Sequence, residues 1–320
     1  MKKIGVSLLL CLLFLLFLLF PEVTKTGAQE GLALWYHSVV PILFPFLILS
    51  NLMLLHNSFF WFLQPFFLLN RWFPTLNPWY FHALILGFFC GYPMGAKAIS
   101  DLLAAKKISL AEGKRLLPLV NQPSPMFLAG YLGIHILEGQ FSFMKIIGLL
   151  YGPPLLLFLL FFLSSLRKKN ASISPFSSGS SFDEKNAFSV QKKNSMPQSM
   201  EHTILSSFSV IVTIGVYMML FTVLSHLLLT LFPHSLPLTL ASCFLEFSTG
   251  LHRLKQLSFL AAPWKTSLLL ALTSFGGLCT AAQTASILED TGITIQSYLL
   301  QKIALAFLVF WLAYASSVSS

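Results

Sequence analysis

The stretch Gly87-Phe88-Phe89-Cys90-Gly91-Tyr92-Pro93-Met94-Gly95-Ala96-Lys97 decides how this chain is read. It closes a run, 72–96, that holds no Asp, Glu, Lys or Arg, and it sets one proline and three glycines into apolar sequence. Pro93 removes a backbone donor and steers Tyr92 away from helical geometry, while the glycines allow close backbone approach. The spacing predicts a helix from Trp79 that breaks at Gly91-Tyr92-Pro93-Met94-Gly95. It restarts over Met94 to Lys107 with Pro93 near its first position.

Working outward, further charge-free stretches cover 4–21, 31–70, 116–137, 146–166, 202–245, 266–288 and 303–320. A bilayer-spanning helix needs about 20 mainly apolar residues. The runs 31–70 and 202–245 exceed twice that length, so each is expected to hold a span plus re-entrant or interfacial structure. Charged residues make up only 10% of the 320, against about 25% in a soluble domain. Hydrophobic residues reach 56%, Phe alone counts 32, and the mean hydropathy is +0.77. One soluble core could not hide that much apolar surface. Intrinsic disorder and a water-soluble enzyme are both excluded. The expected fold class is an all-α polytopic membrane protein with about eight membrane segments, some of them broken or re-entrant.

Met1-Lys2-Lys3 before the apolar run Ile4 to Phe20 invites a signal-peptide reading. Its 17 apolar residues exceed a usual signal core and more spans follow, so a retained first helix with a cytoplasmic N-terminus is expected. Residues 167–200 carry nine Ser, six basic and two acidic residues without apolar periodicity. They read as a disordered basic linker on the cytoplasmic side, between membrane halves 1–166 and 201–320. Cys11, Cys90, Cys243 and Cys279 lie in apolar segments without metal spacing and read as packing residues.

The halves align weakly at an offset of 185. Gly91 then meets Gly276, Ala96 meets Ala281, Leu102-Leu103 meet Ile287-Leu288, and Ile108-Ser109 meet Ile293-Thr294. In each copy a glycine break follows a charge-free helix and precedes a short amphipathic one. A two-repeat architecture is expected, as in many transporters with discontinuous helices at the substrate site. The second break, Ser274-Phe275-Gly276-Gly277-Leu278-Cys279-Thr280, leads into a polar face that includes Gln283. Its small residues would equally serve tight helix packing.

Glu246 follows 44 residues without charge. A carboxylate at the centre of a span costs roughly 2.5–3.5 kcal/mol on insertion scales and usually faces a cavity or a partner. Lys97 is the natural partner if the restarted helix turns its N-terminus inward, where it would meet an anionic or hydroxyl-rich group. The alternative is an interfacial Glu246 paired with Arg253 and a Lys97 that snorkels. Ser109-Leu110-Ala111-Glu112 is a capping-box signature for a helix through about Val120. That helix ends at Asn121-Gln122-Pro123-Ser124-Pro125, where the amides would coordinate a solute or cap the helix. The candidate substrate-binding set is Gly91, Tyr92, Pro93, Met94, Gly95, Lys97, Asn121, Glu246, Gly276, Gly277 and Gln283. No HExxH, paired intramembrane aspartates, Gly-x-Ser-x-Gly elbow or nucleic-acid signature is present, and the eight His lack ligand spacing. The expectation is therefore no enzyme, no cofactor, no metal and no nucleic-acid partner. The net charge of +9 suits cytoplasmic loops beside anionic lipid.

The chain resembles the YlbJ family of sporulation integral membrane proteins of endospore-forming bacteria, which carry nucleoside-recognition (Gate) domains. The resemblance runs through Gly31-Leu32-Ala33-Leu34-Trp35, Val40 to Phe46, Gly91 to Lys97, Glu112 to Pro125, Leu245 to Gly250, and Phe275 through Gln283. Asn121-Gln122-Pro123-Ser124-Pro125 departs from the family's pattern, which has a paired asparagine and no first proline. The resemblance implies a multi-pass protein of the bacterial cell membrane, or of the membrane around the forespore, needed when a spore is built. Gate domains also occur in nucleoside transporters and ferrous-iron permeases, which implies movement of a small polar or anionic solute. The alternative is a non-transporting scaffold for the spore envelope, with other sporulation membrane proteins as partners.

Overall fold

A computed structural model describes residues 2–55, 77, 79–169, 200–233 and 235–318, and among them every regular element is helical. The linker expected at 167–200 lies outside the described residues except at its edges, where Arg167 to Lys169 end a helix and Met200 begins one.

Helix α1 (Lys2–Leu19) meets α2 (Pro21–Leu34) at a bend of 103°, with Pro21 supplying the first residue of α2 where no donor is needed. A π-helical turn, Trp35–Val39, carries α2 into α3 (Val40–Leu55). Next come α4 (Trp79–Cys90), α5 (Met94–Ala104) and α6 (Leu110–Val120). A short α7 (Pro125–Phe127) passes into the π-helix Leu128–Ile136, and α8 spans Phe143–Lys169. Beyond the linker lie α9 (Met200–Leu231), α10 (Leu236–Cys243), α11 (Phe247–Gln256), α12 (Ala262–Phe275), α13 (Gly277–Leu288) and α14 (Ile295–Val318).

Among the described residues, four stretches are long and apolar enough to cross a bilayer. They are Phe143–Leu163, Ser207–Leu231, Ala262–Leu288 and Ile295–Val318, and the bent pair Leu10–Leu19 with Pro21–Val39 makes a fifth. Sequence arithmetic pointed to about eight segments. Part of the difference lies in the breaks: Trp79–Cys90 is apolar but only 12 residues long, because the Gly91-Tyr92-Pro93 turn ends it.

The capping box at Ser109 is formed. Glu112 N–H donates to Ser109 Oγ at 3.3 Å, Ser109 N–H donates to Glu112 Oε2 at 2.6 Å, and α6 runs to Val120 as its sequence predicts. Helix α2 packs along α9 through Gly27 and Gly31: a Cβ on either would lie 2.9 Å from the Cα of Val223 or Met219. Small residues four apart let the two backbones touch, the way helices associate where no water drives them together.

Three apolar clusters surround the centre. One is built by α4, α5, α6 and α13, with Ile99, Leu116, Leu117 and Leu288 in it. The second joins the Leu128–Ile136 π-helix to α8, α11, α12 and α14 through Leu132, Leu150, Leu270 and Val309. The third puts Leu47, Cys90, Met94, Ile214 and Cys279 together between α3 and α9. The polar site lies where they meet.

Candidate functional site

Four helix breaks converge: Gly91-Tyr92-Pro93, Asn121 to Ser124, Phe244 to Glu246, and Gly276. Gly91 has φ 72° and Gly276 φ 85°, left-handed values that glycine adopts without strain. The Tyr92-Pro93 peptide is cis. Close packing fixes the first break on the second: a Cβ on Gly91 would lie 2.6 Å from Ser124 N, and one on Gly95 would lie 2.2 Å from Val120 O.

Each break leaves backbone groups to be satisfied, and the protein does this internally. Met94 N–H and Gly95 N–H donate to Gly91 O at 2.9 and 3.4 Å. Phe127 N–H donates to Ser124 Oγ at 3.3 Å. Leu278 and Cys279, opening α13, donate to the carbonyls of Phe244 and Leu245, both at 2.8 Å. Glu246 caps α11, its carboxylate accepting from Ser248 N–H at 3.1 Å and Thr249 N–H at 2.7 Å. An anion at a helix N-terminus is favoured by both the free N–H groups and the macrodipole.

Glu246 is 1% exposed, as its isolation in the sequence suggested. Its expected ion pair is not formed. Lys97 points outward, with its side chain 46% exposed, and pairs with Asp101 one turn along α5. Arg253, the alternative partner, turns toward Glu30 at 3.8 Å and hydrogen-bonds Ser225 Oγ. Helical geometry explains the miss for Lys97: it sits on the side of α5 opposite Ala98, Ile99 and Leu102, which face the core.

The buried cation at the centre is instead Lys302 on α14, which is 0% exposed. Its Nζ donates to Tyr92 Oη at 2.8 Å, Gln122 Oε1 at 3.2 Å and Asn121 O at 3.4 Å, and lies 5.0 Å from the Tyr92 ring centroid. Tyr92 Oη in turn donates to Ser274 O at 3.2 Å, which ties the first break to α12. Asn121 Nδ2 donates to Tyr298 Oη at 2.8 Å and to Thr284 Oγ1 at 3.0 Å. Asn121 Oδ1 and Ser274 Oγ are buried oxygens without a hydrogen-bond partner.

Beside this network lies a cavity of about 60 Å³, lined among others by Tyr92, Ser124, Glu246, Ser248, Cys279 and Gln283. It is large enough for a few waters. Of the sequence-derived set, Tyr92, Glu246 and Gln283 face the cavity, and Asn121 belongs to the lysine network. Gly91, Pro93, Gly95, Gly276 and Gly277 shape the breaks, Met94 packs in the α3–α9 cluster, and Lys97 is outside. Among the described residues no three His, Cys, Asp or Glu side chains gather to hold a metal ion.

Sequence reasoning missed Lys302 and Tyr298, whereas Thr284 belongs to the polar face after the second break and Gln122 is one of the two amides expected to coordinate a solute or cap the helix. Lys302 counted only as the edge of a charge-free run. Its register held the missing signal: Tyr298, Lys302, Leu305, Val309 and Ala313 recur three or four apart and form the buried stripe of α14. Gln122 spends both ends of its amide, with Nε2 on Pro118 O at 2.7 Å and Oε1 on Lys302.

The chain is 24% identical to the sporulation integral membrane protein YlbJ of Bacillus subtilis (strain 168) over 318 residues, covering 88% of this chain and 75% of that protein. No protein-family model and no solved structure matches it. The membrane-protein relative and the long apolar helices agree on a multi-pass, α-helical integral membrane protein.

Proposed function

We propose that this chain is a sporulation-associated membrane transporter, a permease-like protein that moves a small polar or anionic solute through the junction of its broken helices. The observation that carries the reading is the meeting of four breaks around a cavity with a buried Glu246 on its wall and a buried Lys302 behind Tyr92. Discontinuous helices around a midplane site are how many secondary transporters bind cargo without opening a continuous pore. Charged groups kept inside a membrane protein usually mark such pathways.

A two-repeat architecture supports the same reading. Shifting by the 185-residue offset carries α4 (Trp79–Cys90) onto 264–275, within α12, and the start of α6 at Leu110 onto the start of α14 at Ile295. Alternating access would rock one half against the other about the breaks. The printed name of the relative supplies the sporulation setting.

The test is solute flux. The full chain reconstituted in proteoliposomes is given radiolabelled nucleosides, small carboxylates and amino acids in turn, with protein-free vesicles as reference. Saturable uptake that falls at least tenfold in Glu246→Gln supports transport. Absence of uptake for every solute, with a sporulation membrane protein retained on the purified chain, would support the scaffold instead.

A further inference from the structure

We propose that the Lys302 ammonium is a tethered cation, occupying an oxygen-lined site that a free monovalent ion would otherwise take, and so binding α14 to the first and second breaks. Three acceptors surround Nζ: a phenol oxygen, a backbone carbonyl and an amide oxygen, at 2.8, 3.4 and 3.2 Å. Two of them can only accept. Asn121 O is a carbonyl, and Gln122 Oε1 is held in place because Nε2 on the same amide donates to Pro118 O. Tyr92 spends its proton on Ser274 O, so toward Lys302 it also accepts. Three acceptors match the three N–H donors of an ammonium, whereas a neutral amine would set its lone pair against an oxygen.

Carbonyls freed by unwound helices are the usual ligands of coupling ions in broken-helix transporters. Here Asn121 O is such a carbonyl, at the unwound end of α6. The Tyr92 ring adds a cation–π face 5.0 Å from Nζ. Among the described residues no carboxylate lies within ion-pair distance of Lys302, so its charge is met by neutral oxygens and a ring, as a bound ion's would be. Two further buried oxygens on the participating residues, Asn121 Oδ1 and Ser274 Oγ, have no partner, which marks the surroundings as richer in acceptors than the side chain consumes.

The tethered cation does not depend on solute movement, so an absence of flux leaves it standing and thermal melts decide it. The full chain is purified in detergent as wild type, Lys302→Ala and Lys302→Met, and intrinsic fluorescence is followed on heating. Equal concentrations of choline, sodium, potassium or propylammonium chloride are compared. Wild type is expected to melt at one temperature in all four salts. Lys302→Ala is expected to melt at least 5 °C lower in choline and to regain half or more of the loss in propylammonium, which refills the emptied side-chain space. Potassium should restore a smaller part. Lys302→Met keeps the stem without the charge, and it should be lowered without recovery. Should Lys302→Ala fail to purify, propylammonium is added during extraction, and recovery of folded protein only then supports the same conclusion. A wild type stabilised by sodium or potassium over choline, an alanine variant as stable as wild type, or one that ignores propylammonium overturns the assignment.

Discussion

At the scale of single residues, the site depends on groups whose surroundings leave no slack. Glu246 holds two N–H groups at the start of α11, so Glu246→Ala should lower stability by about 0.5–2 kcal/mol, the usual range for losing a cap. Glu246→Gln keeps one accepting oxygen and should lose less stability while losing solute uptake; melting curves beside the flux assay separate the two effects. Full uptake in Glu246→Gln would remove the carboxylate from the transport pathway. Gly95→Ala drives a methyl to 2.2 Å from Val120 O, and a shift of about 1–3 kcal/mol toward unfolding is expected. Gly148→Ala, which meets nothing within 4 Å in the second turn of α8, is the control and should be neutral or slightly stabilising. A Gly95→Ala protein that melts with the control would contradict the backbone contact. What could be read at this scale from sequence was Glu246, because its isolation among apolar residues is a one-dimensional fact. The partner of a buried charge is not: Lys97 looked suitable by chain distance, yet helix phase turned it to the surface and turned Lys302 inward.

At the scale of elements, breaks and caps were legible because their chemistry is local. Pro93 and the glycines around it placed the α4–α5 interruption, and Ser109 with Glu112 placed the start of α6. Ser109→Ala should therefore cost about 1 kcal/mol, measured as a fall in the denaturation midpoint, since it removes an acceptor for Glu112 N–H. An unchanged midpoint would mean that α6 is held by packing alone. How the freed groups would be satisfied was not legible. The α5 N-terminus looked open to an anion, but Gly91 O takes the Met94 and Gly95 N–H groups. Likewise the α13 N-terminus closes on carbonyls more than thirty residues earlier in the chain, a pairing that no local spacing encodes. The contact of α2 with α9 falls between these cases: Gly27 and Gly31 stand four apart in the sequence, but the helix that fills their groove does not announce itself.

At the scale of the whole molecule, the membrane class followed from composition, while the way the halves interlock did not. Helices from the first half pack against helices from the second throughout: α2 on α9, α5 on α13, α6 and α8 on α14. Glu30 on α2 also meets His226 on α9 and Arg253 on α11. A protease site inserted within 170–199 should therefore yield two fragments that stay together through size-exclusion chromatography in mild detergent. Separation of the fragments would show that the linker, and not packing, keeps the halves in register. The stretch Ala262–Leu288 carries this interlocking furthest. Over an 18-residue apolar stretch of it, 78% is buried inside the protein, against 22% for the corresponding stretches of Phe143–Leu163 and Ile295–Val318. Protein covers most of it, and its Thr273, Ser274, Thr280 and Thr284 are buried. Biogenesis inherits a problem of order: a segment synthesised late must enter a bundle whose earlier helices are already in the bilayer. Those helices must hold a slot open, or move apart, until α12, α13 and α14 follow them in.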